Sequence, residues 1–310
     1  MKLGQLRYFV ALADTGSFTR AAAVTHVAQP SLSQQIRALE AELGGELVER
    51  HARGIRLTAA GAAFLPEARA AVDASDRARD AALQELGRTP RTIDIVTVRS
   101  LAMTVVPQTI ERWYRKHPEF LIRLHEYSSS PQTERAALAS SGRLGIGPMP
   151  VTWSGPVRSL GWDELVAIVP VDDPGAAFDP IELASLSERS WVLYERNHGL
   201  RSVTDAACAA VGYMPRPAAE TGQIETAARL AASGLGPSLV PRHTVPRDLE
   251  PAVRLLDPPL MWEVAAYSRT TWPRYVDAYL DLFRGTALDR VPPEQIQHVS
   301  PSEFAATDEE

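Results

Sequence analysis

Residues 17–37, SFTRAAAVTHVAQPSLSQQIR, carry two short helical patterns parted by a compact turn. In the second, Leu32, Ile36, Leu39 and Leu43 recur at steps of four, three and four, which gathers them on one buried stripe. Ser31, Ser33, Gln34 and Arg37 then point away from that stripe. Pro30 suits a first helical turn, where no backbone donor is required, and Gln29 stands just before it. Ser17 is placed to cap the first helix, and Phe18, Ala21 and Ala22 give that helix a side small enough for another to cross closely. This is helix-turn-helix geometry, and its second helix fits a DNA major groove. Pairs of amphipathic helices with a polar face recur in many helical subdomains, so the flanks matter. Leu47 and Val48 lead into Arg50, His51, Ala52, Arg53 and Gly54, and residues 55–57 resume an apolar strand-like pattern. The flank therefore reads as a two-stranded wing with a basic tip.

At these positions the chain resembles the LysR-type family of bacterial transcription regulators. The resemblance is carried by Phe9, Ser17, Phe18, Ala21, Ala22, the run 27–36 (VAQPSLSQQI), Leu39, Glu40, Leu43, Gly44, 47–50 (LVER) and 57–61 (LTAAG). It is dense over roughly the first sixty residues and weaker beyond. Thr25 stands where the family generally has Leu, and Val48 where it has Phe, which implies slightly looser packing away from the reading face.

The formal charge of −6 speaks against a nucleic-acid partner until it is divided by domain. Over residues 1–60, seven basic residues stand against five acidic ones, a balance of +2, which leaves −8 for the rest. The asymmetry has the sign a DNA-binding head needs. Short hydroxyls and amides on the exposed helix reach base edges, and an arginine makes bidentate contacts with guanine or phosphate. The expected contacts are Gln29, Pro30, Ser31, Ser33, Gln34 and Arg37, with Thr19, Arg20 and Arg53 positioning on the phosphate backbone.

Thr58 opens a long Ala-rich helix running to about Leu86, stopped by Gly87. Phe64, Leu65, Ala68, Val72, Ser75, Arg79, Leu83 and Leu86 fall at helical spacing, and a lone helix would leave that stripe uncovered. Pairing with a second copy is therefore expected. The family resemblance implies the same: a dimerising linker that offers two heads to an imperfect palindrome in double-stranded DNA, within a homotetramer. It leaves a contact with RNA polymerase open. Pro66 should bend this helix locally.

From Thr92 short apolar strands alternate with helices: strands at 93–98, 120–127, 144–146, 165–169, 191–194 and 262–267, and helices at about 101–116, 132–141, 202–211, 224–233 and 273–283. That alternation indicates parallel sheets covered on both faces. The order resembles the two-lobed, periplasmic-binding-protein-like (type 2) effector domain of the LysR family. The expected fold is thus an N-terminal all-α winged helix-turn-helix (1–58), a linker helix (59–90) and a C-terminal α/β effector domain (91–285). The resemblance divides the last into lobe I, 91–161 with 268–285, and lobe II, 162–267, joined by two crossover strands. Residues 286–310, rich in Pro, Ser, Asp and Glu, are expected to form a mobile tail.

Ligands of such sheets sit outside the carboxyl ends of the strands, where helix N-termini present free N–H groups. That rule selects Arg99, Ser100, Leu101, Ser128, Ser129 and Ser130 from one lobe, and His198, Arg201, Ser202, Thr221, Gln223 and Ile224 from the other. Partial positive helix ends, hydroxyls and an arginine favour a small organic anion as effector. Singly, each serine also reads as a helix cap or turn former. The family often has Asp where this chain has Gly145, so contacts from the loop 142–148 are not carried over.

No Ser-His-Asp spacing, phosphate-binding glycine loop or metal motif is present, so no catalysis, cofactor or metal is expected. The alternatives are a cleft enzyme, which lacks a nucleophile here, and a solute-binding protein, which has no use for a winged head. No apolar run is long enough to span a membrane and the N-terminus has no signal-peptide pattern, so a cytoplasmic location is expected. The single cysteine, Cys208, reads as a buried thiol.

Overall fold

The computed structural model describes residues 1–51, 54–88, 90–140, 142–173, 179–293 and 296–298. It divides into two compact units, Met1–Thr89 and Pro90–Glu310, each with its own apolar core. Among the described residues no helix is long and apolar enough to cross a membrane.

The first unit contains α1 (Leu3–Thr15), α2 (Phe18–Val24), α3 (Gln29–Leu43), the hairpin β1 (Val48–His51) and β2 (Gly54–Leu57), and α4 (Ala59–Glu85). Ser17 caps α2, its side chain accepting from the Arg20 amide at 3.5 Å, and Pro30 lies in the first turn of α3. Phe9, Leu12, Leu32, Ile36 and Leu39 are fully buried where α1, α2 and α3 meet. Two expectations for α3 fail. Leu43 is 46% exposed because it is the last helical residue, past the cover of the other helices, and Ser33 is only 4% exposed. One step from Leu32 and three from Ile36, Ser33 stands on the shoulder of the apolar stripe rather than opposite it.

The wing strands pair antiparallel from Val48↔Leu57 to His51↔Gly54. The Ile55 amide donates to the Gly16 carbonyl at 3.0 Å, which pins the wing to the corner between α1 and α2. Gly54, at φ 139°, permits this approach, since a Cβ there would fall 2.7 Å from the Gly16 oxygen. Arg53 lies outside the described residues.

Thr58 caps α4, accepting from the Gly61 amide at 3.0 Å. Phe64, Leu65, Ala68 and Val72 pack into the core of this unit, with Phe64 edge-on to Phe9 at 5.3 Å. Ion pairs Arg7–Asp76 and Arg69–Asp14 join the same two helices. The first half of the stripe expected to require a second copy is thus covered by α1 of its own chain, whereas Leu86 is 66% exposed. Pro66 sits within a continuous α4.

The second unit runs β3 (Thr92–Val98), α5 (Arg99–Met103), α6 (Val105–Tyr114), β4 (Leu121–Tyr127), α7 (Ser130–Ala139), β5 (Arg143–Pro148) and β6 (Val157–Ile168). It continues with β7 (Ser190–Tyr194), α8 (Gly199–Ala210), β8 (Arg216–Thr221), α9 (Ile224–Ala232), β9 (Ser238–Pro241), β10 (Val253–Arg254), β11 (Leu260–Tyr267), α10 (Arg274–Leu280) and β12 (Gln297–His298). The main sheet has the order β10-β6-β11-β5-β3-β4, with β9 also on β6 and β12 on β11, while β7 and β8 pair separately. Pairings β3/β4, β3/β5 and β7/β8 are parallel, but β11 is antiparallel to both β5 and β6. The sheet is therefore mixed rather than wholly parallel, because β6 and β11 cross between the lobes in opposite directions. β6 is a single 12-residue strand where only 165–169 was expected. The helix expected over 101–116 is broken at Thr104, whose φ of −138° and ψ of −65° separate α5 from α6.

The expected tail is anchored at one point. Leu288 is fully buried, its carbonyl accepts from the Trp162 amide at 2.9 Å, and Arg290 pairs with Glu164 at 2.8 Å. One buried leucine among polar neighbours suffices to anchor this stretch, which its average composition conceals. Residues 299–310 lie outside the described residues.

Candidate DNA interface and ligand cleft

Thr19, Arg20, Gln29, Pro30, Ser31, Gln34 and Arg37 are all exposed, on the start of α2 and along α3. Ser33 is not among them. Its carbonyl receives the Nε donor of Arg37 at 3.4 Å, which lays that arginine back along the helix. His26, in the turn between the two helices, adopts a left-handed φ of 55°. Arg56 adds an exposed cation on β2, opposite Glu49, that was not singled out as a contact.

In the second unit, the carboxyl ends of β3 and β4 and the N-terminal turns of α5, α7, α8 and α9 meet around a cavity of about 440 Å³ that includes its open mouth. Of the residues singled out in the sequence, Arg99, Ser100, Leu101, Ser128, Ser129, Ser130, His198 and Ile224 line it. Arg201, Ser202, Thr221 and Gln223 do not. Arg201 is held by Asp205 at 2.9 Å, Glu220 at 2.8 Å and the Tyr194 carbonyl at 2.9 Å, so its charge is spent inside lobe II. Thr221 accepts from the Gln223 amide and serves that turn.

The polar side of the cavity is specific. Arg99 is exposed and forms no ion pair among the described residues. Ser128 donates its hydroxyl to Gln132 at 2.9 Å, and Ser130 is 3% exposed in the first turn of α7. His198 stacks on Tyr194 at 4.6 Å, and its Nδ1 accepts from the Leu200 amide at 3.2 Å. That bond places the ring proton on Nε2, a buried atom with no partner among the described residues. Burial, aided by the Arg99 charge, lowers the His198 pKa to about 4, so the ring is a neutral donor near pH 7.

Lobe II touches lobe I directly at the cleft mouth, where the Gly199 amide donates to the Ser128 carbonyl at 2.9 Å. Only a residue without Cβ fits this approach comfortably, since a Cβ would lie 3.2 Å from the Ser129 Cα. Sequence reasoning missed the apolar walls, Val98, Pro148, Leu200, Val203 and Trp262. Pro148 and Trp262 come from strands that cross or border the hinge, and no local pattern marks them. At Gly145 the Tyr267 ring fills the space a side chain would take, so that position offers the cleft no group.

Known families match both units. Residues 3–62 match the family described as "Bacterial regulatory helix-turn-helix protein, lysR family", and residues 86–288 match the "LysR substrate binding domain". The chain is 34% identical over 249 residues to the Hca operon transcriptional activator HcaR of Escherichia coli (strain K12), covering 78% of this chain and 82% of that protein. It is 35% identical over 251 residues to the regulator CatR of Pseudomonas putida, covering 78% and 83%. A full-length OxyR from Pseudomonas aeruginosa superposes with a TM-score of 0.67 at 25% identity, covering 93% of this chain and 96% of that one. The winged head, the two-lobed α/β unit and these matches together place the chain in the LysR family of bacterial transcriptional regulators, with a DNA-binding domain followed by an effector-binding domain.

Proposed function

We propose that this regulator works in the cytoplasm on an imperfectly palindromic operator and takes an apolar-bodied small carboxylate as its effector. Residues 1–58 bind DNA, 59–90 pair two chains, and two pairs form a tetramer open to contact with RNA polymerase. Gln29, Ser31, Gln34 and Arg37 read or flank base edges around Pro30, while Thr19, Arg20 and Arg53 hold phosphates. Ser33 serves the packing of α3. The effector carboxylate meets Arg99 and the Nε2 donor of His198, and its body rests on Leu101, Ile224 and Trp262. Occupancy favours one setting of the lobes, which changes the angle between paired heads and the bend of the DNA.

The observation that carries the effector assignment is a guanidinium without an ion pair and a buried ring donor without a partner among the described residues, both facing a cavity that also has apolar walls. A calorimetric titration of the full-length protein with benzoate and then benzamide tests it. Binding of the acid, with at least a tenfold weaker response to the amide, is expected, and Arg99→Ala should abolish the difference. Equal response to acid and amide would overturn the assignment.

A further inference from the structure

Thr104, His243 and Asp163 form a hydrogen-bonded chain that passes between the lobes. Thr104 stands at the break between α5 and α6 in lobe I. Its Oγ1 lies 2.7 Å from Nδ1 of His243, in the short 3-10 turn Arg242–Thr244 that follows β9 in lobe II. Nε2 of the same ring lies 3.0 Å from Oδ2 of Asp163 on β6, where the chain crosses from one lobe to the other. The His243 and Asp163 side chains are 2% and 3% exposed, and Asp163 Oδ1 also accepts the Glu164 amide at 2.9 Å.

A carboxylate and an imidazole buried this deeply persist only when hydrogen-bonded, because desolvation is otherwise uncompensated. With Nε2 donating to the Asp163 carboxylate, Nδ1 accepts from the Thr104 hydroxyl, and the chain is complete. The order hydroxyl, imidazole, carboxylate also describes a nucleophilic relay. Here the imidazole is enclosed and Thr104 does not line the cavity, so the three groups lie apart from the ligand site. Next along β6, Glu164 is held by Arg290 and the Trp162 amide by the Leu288 carbonyl, which fixes the crossover strand to the C-terminal segment as well.

We propose that Thr104, His243 and Asp163 are an interlobe clamp that sets α5, and with it Arg99, Ser100 and Leu101, against lobe II. They are positioning residues. A contact beside the crossover strand moves least when two lobes rotate, so the clamp holds the axis and the Gly199–Ser128 bond at the mouth is the one that opens. The clamp is a property of the lobes and stands whether or not the cavity takes a carboxylate.

Hydrogen–deuterium exchange of the full-length protein, read on peptides covering residues 99–104 without any ligand, tests the clamp with two variants. Thr104→Val keeps the shape and removes the hydroxyl, whereas Thr104→Ser keeps the hydroxyl and removes a methyl. With the clamp as described, the valine variant exchanges about 5-fold faster in α5 and the serine variant stays within about 2-fold of the parent. Unchanged exchange in the valine variant, or equal acceleration in both, would overturn the proposal, the second outcome assigning the role to packing.

Discussion

Burial against Tyr194 keeps His198 neutral, and this has a consequence for stability. Its pKa falls from 6.5 to about 4 on folding, so between those values the unfolded chain binds more protons than the folded one. Stability is therefore lost as pH falls from about 6.5 toward 4, by up to about 3 kcal/mol for this one group. Denaturant unfolding at pH 7 and pH 4.5 checks this: the difference between the two should shrink in His198→Asn, which retains an acceptor for the Leu200 amide. At the same scale, Gly145 and Gly199 show that a missing side chain has opposite uses. At one position Tyr267 fills the vacated space, and at the other the backbone of the facing lobe comes within hydrogen-bond distance. Arg201 and Arg99 looked equivalent in the sequence, yet Asp205 and Glu220 engage the first, while the second has no ion pair among the described residues.

The buried face of α3 was legible because Leu32, Ile36 and Leu39 follow the helical period, and the helix ends on Gly44 at φ 74°. Misreadings arose where tertiary cover, rather than period, sets the burial. Leu43 continues the stripe of α3 past its cover, and Ser33 is covered although polar. The break at Thr104 did leave a mark: Pro107 falls in the first turn of α6, where proline is tolerated, and three residues into a helix it points to a start just upstream. β8, reading RPAAET, has neither alternation nor an apolar run and gains strand form from pairing with β7. For α3 the expected contrast is between base and phosphate contacts. Gln34→Ala should alter preference among operator variants, by about 1–3 kcal/mol at the base it reads, whereas Arg20→Ala should weaken binding to all duplexes alike and lower the salt slope by about 1. A titration series across variant sites at two salt concentrations measures both.

Over the whole molecule, separate cores divide the work between the units. A fragment comprising residues 90–310 should fold, bind the carboxylate with the affinity of the full chain and show no operator binding, which calorimetry and a gel-shift assay check. Loss of carboxylate binding in a folded fragment would show that the first unit contributes to the ligand site. The sequence by itself determined the two kinds of unit, the reading helix, the wing and the strand ends that line the cleft. These follow from hydrophobic period, caps and the rule that parallel strands present ligands at their carboxyl ends. Only the tertiary structure decided which arginine is engaged by carboxylates, which walls are apolar, that Leu288 returns to the crossover strand, and that Thr104 meets His243 and Asp163. Those contacts join residues 80 or more positions apart, or turn on which of two arginines finds a partner. They depend on distances that no local pattern of residues encodes.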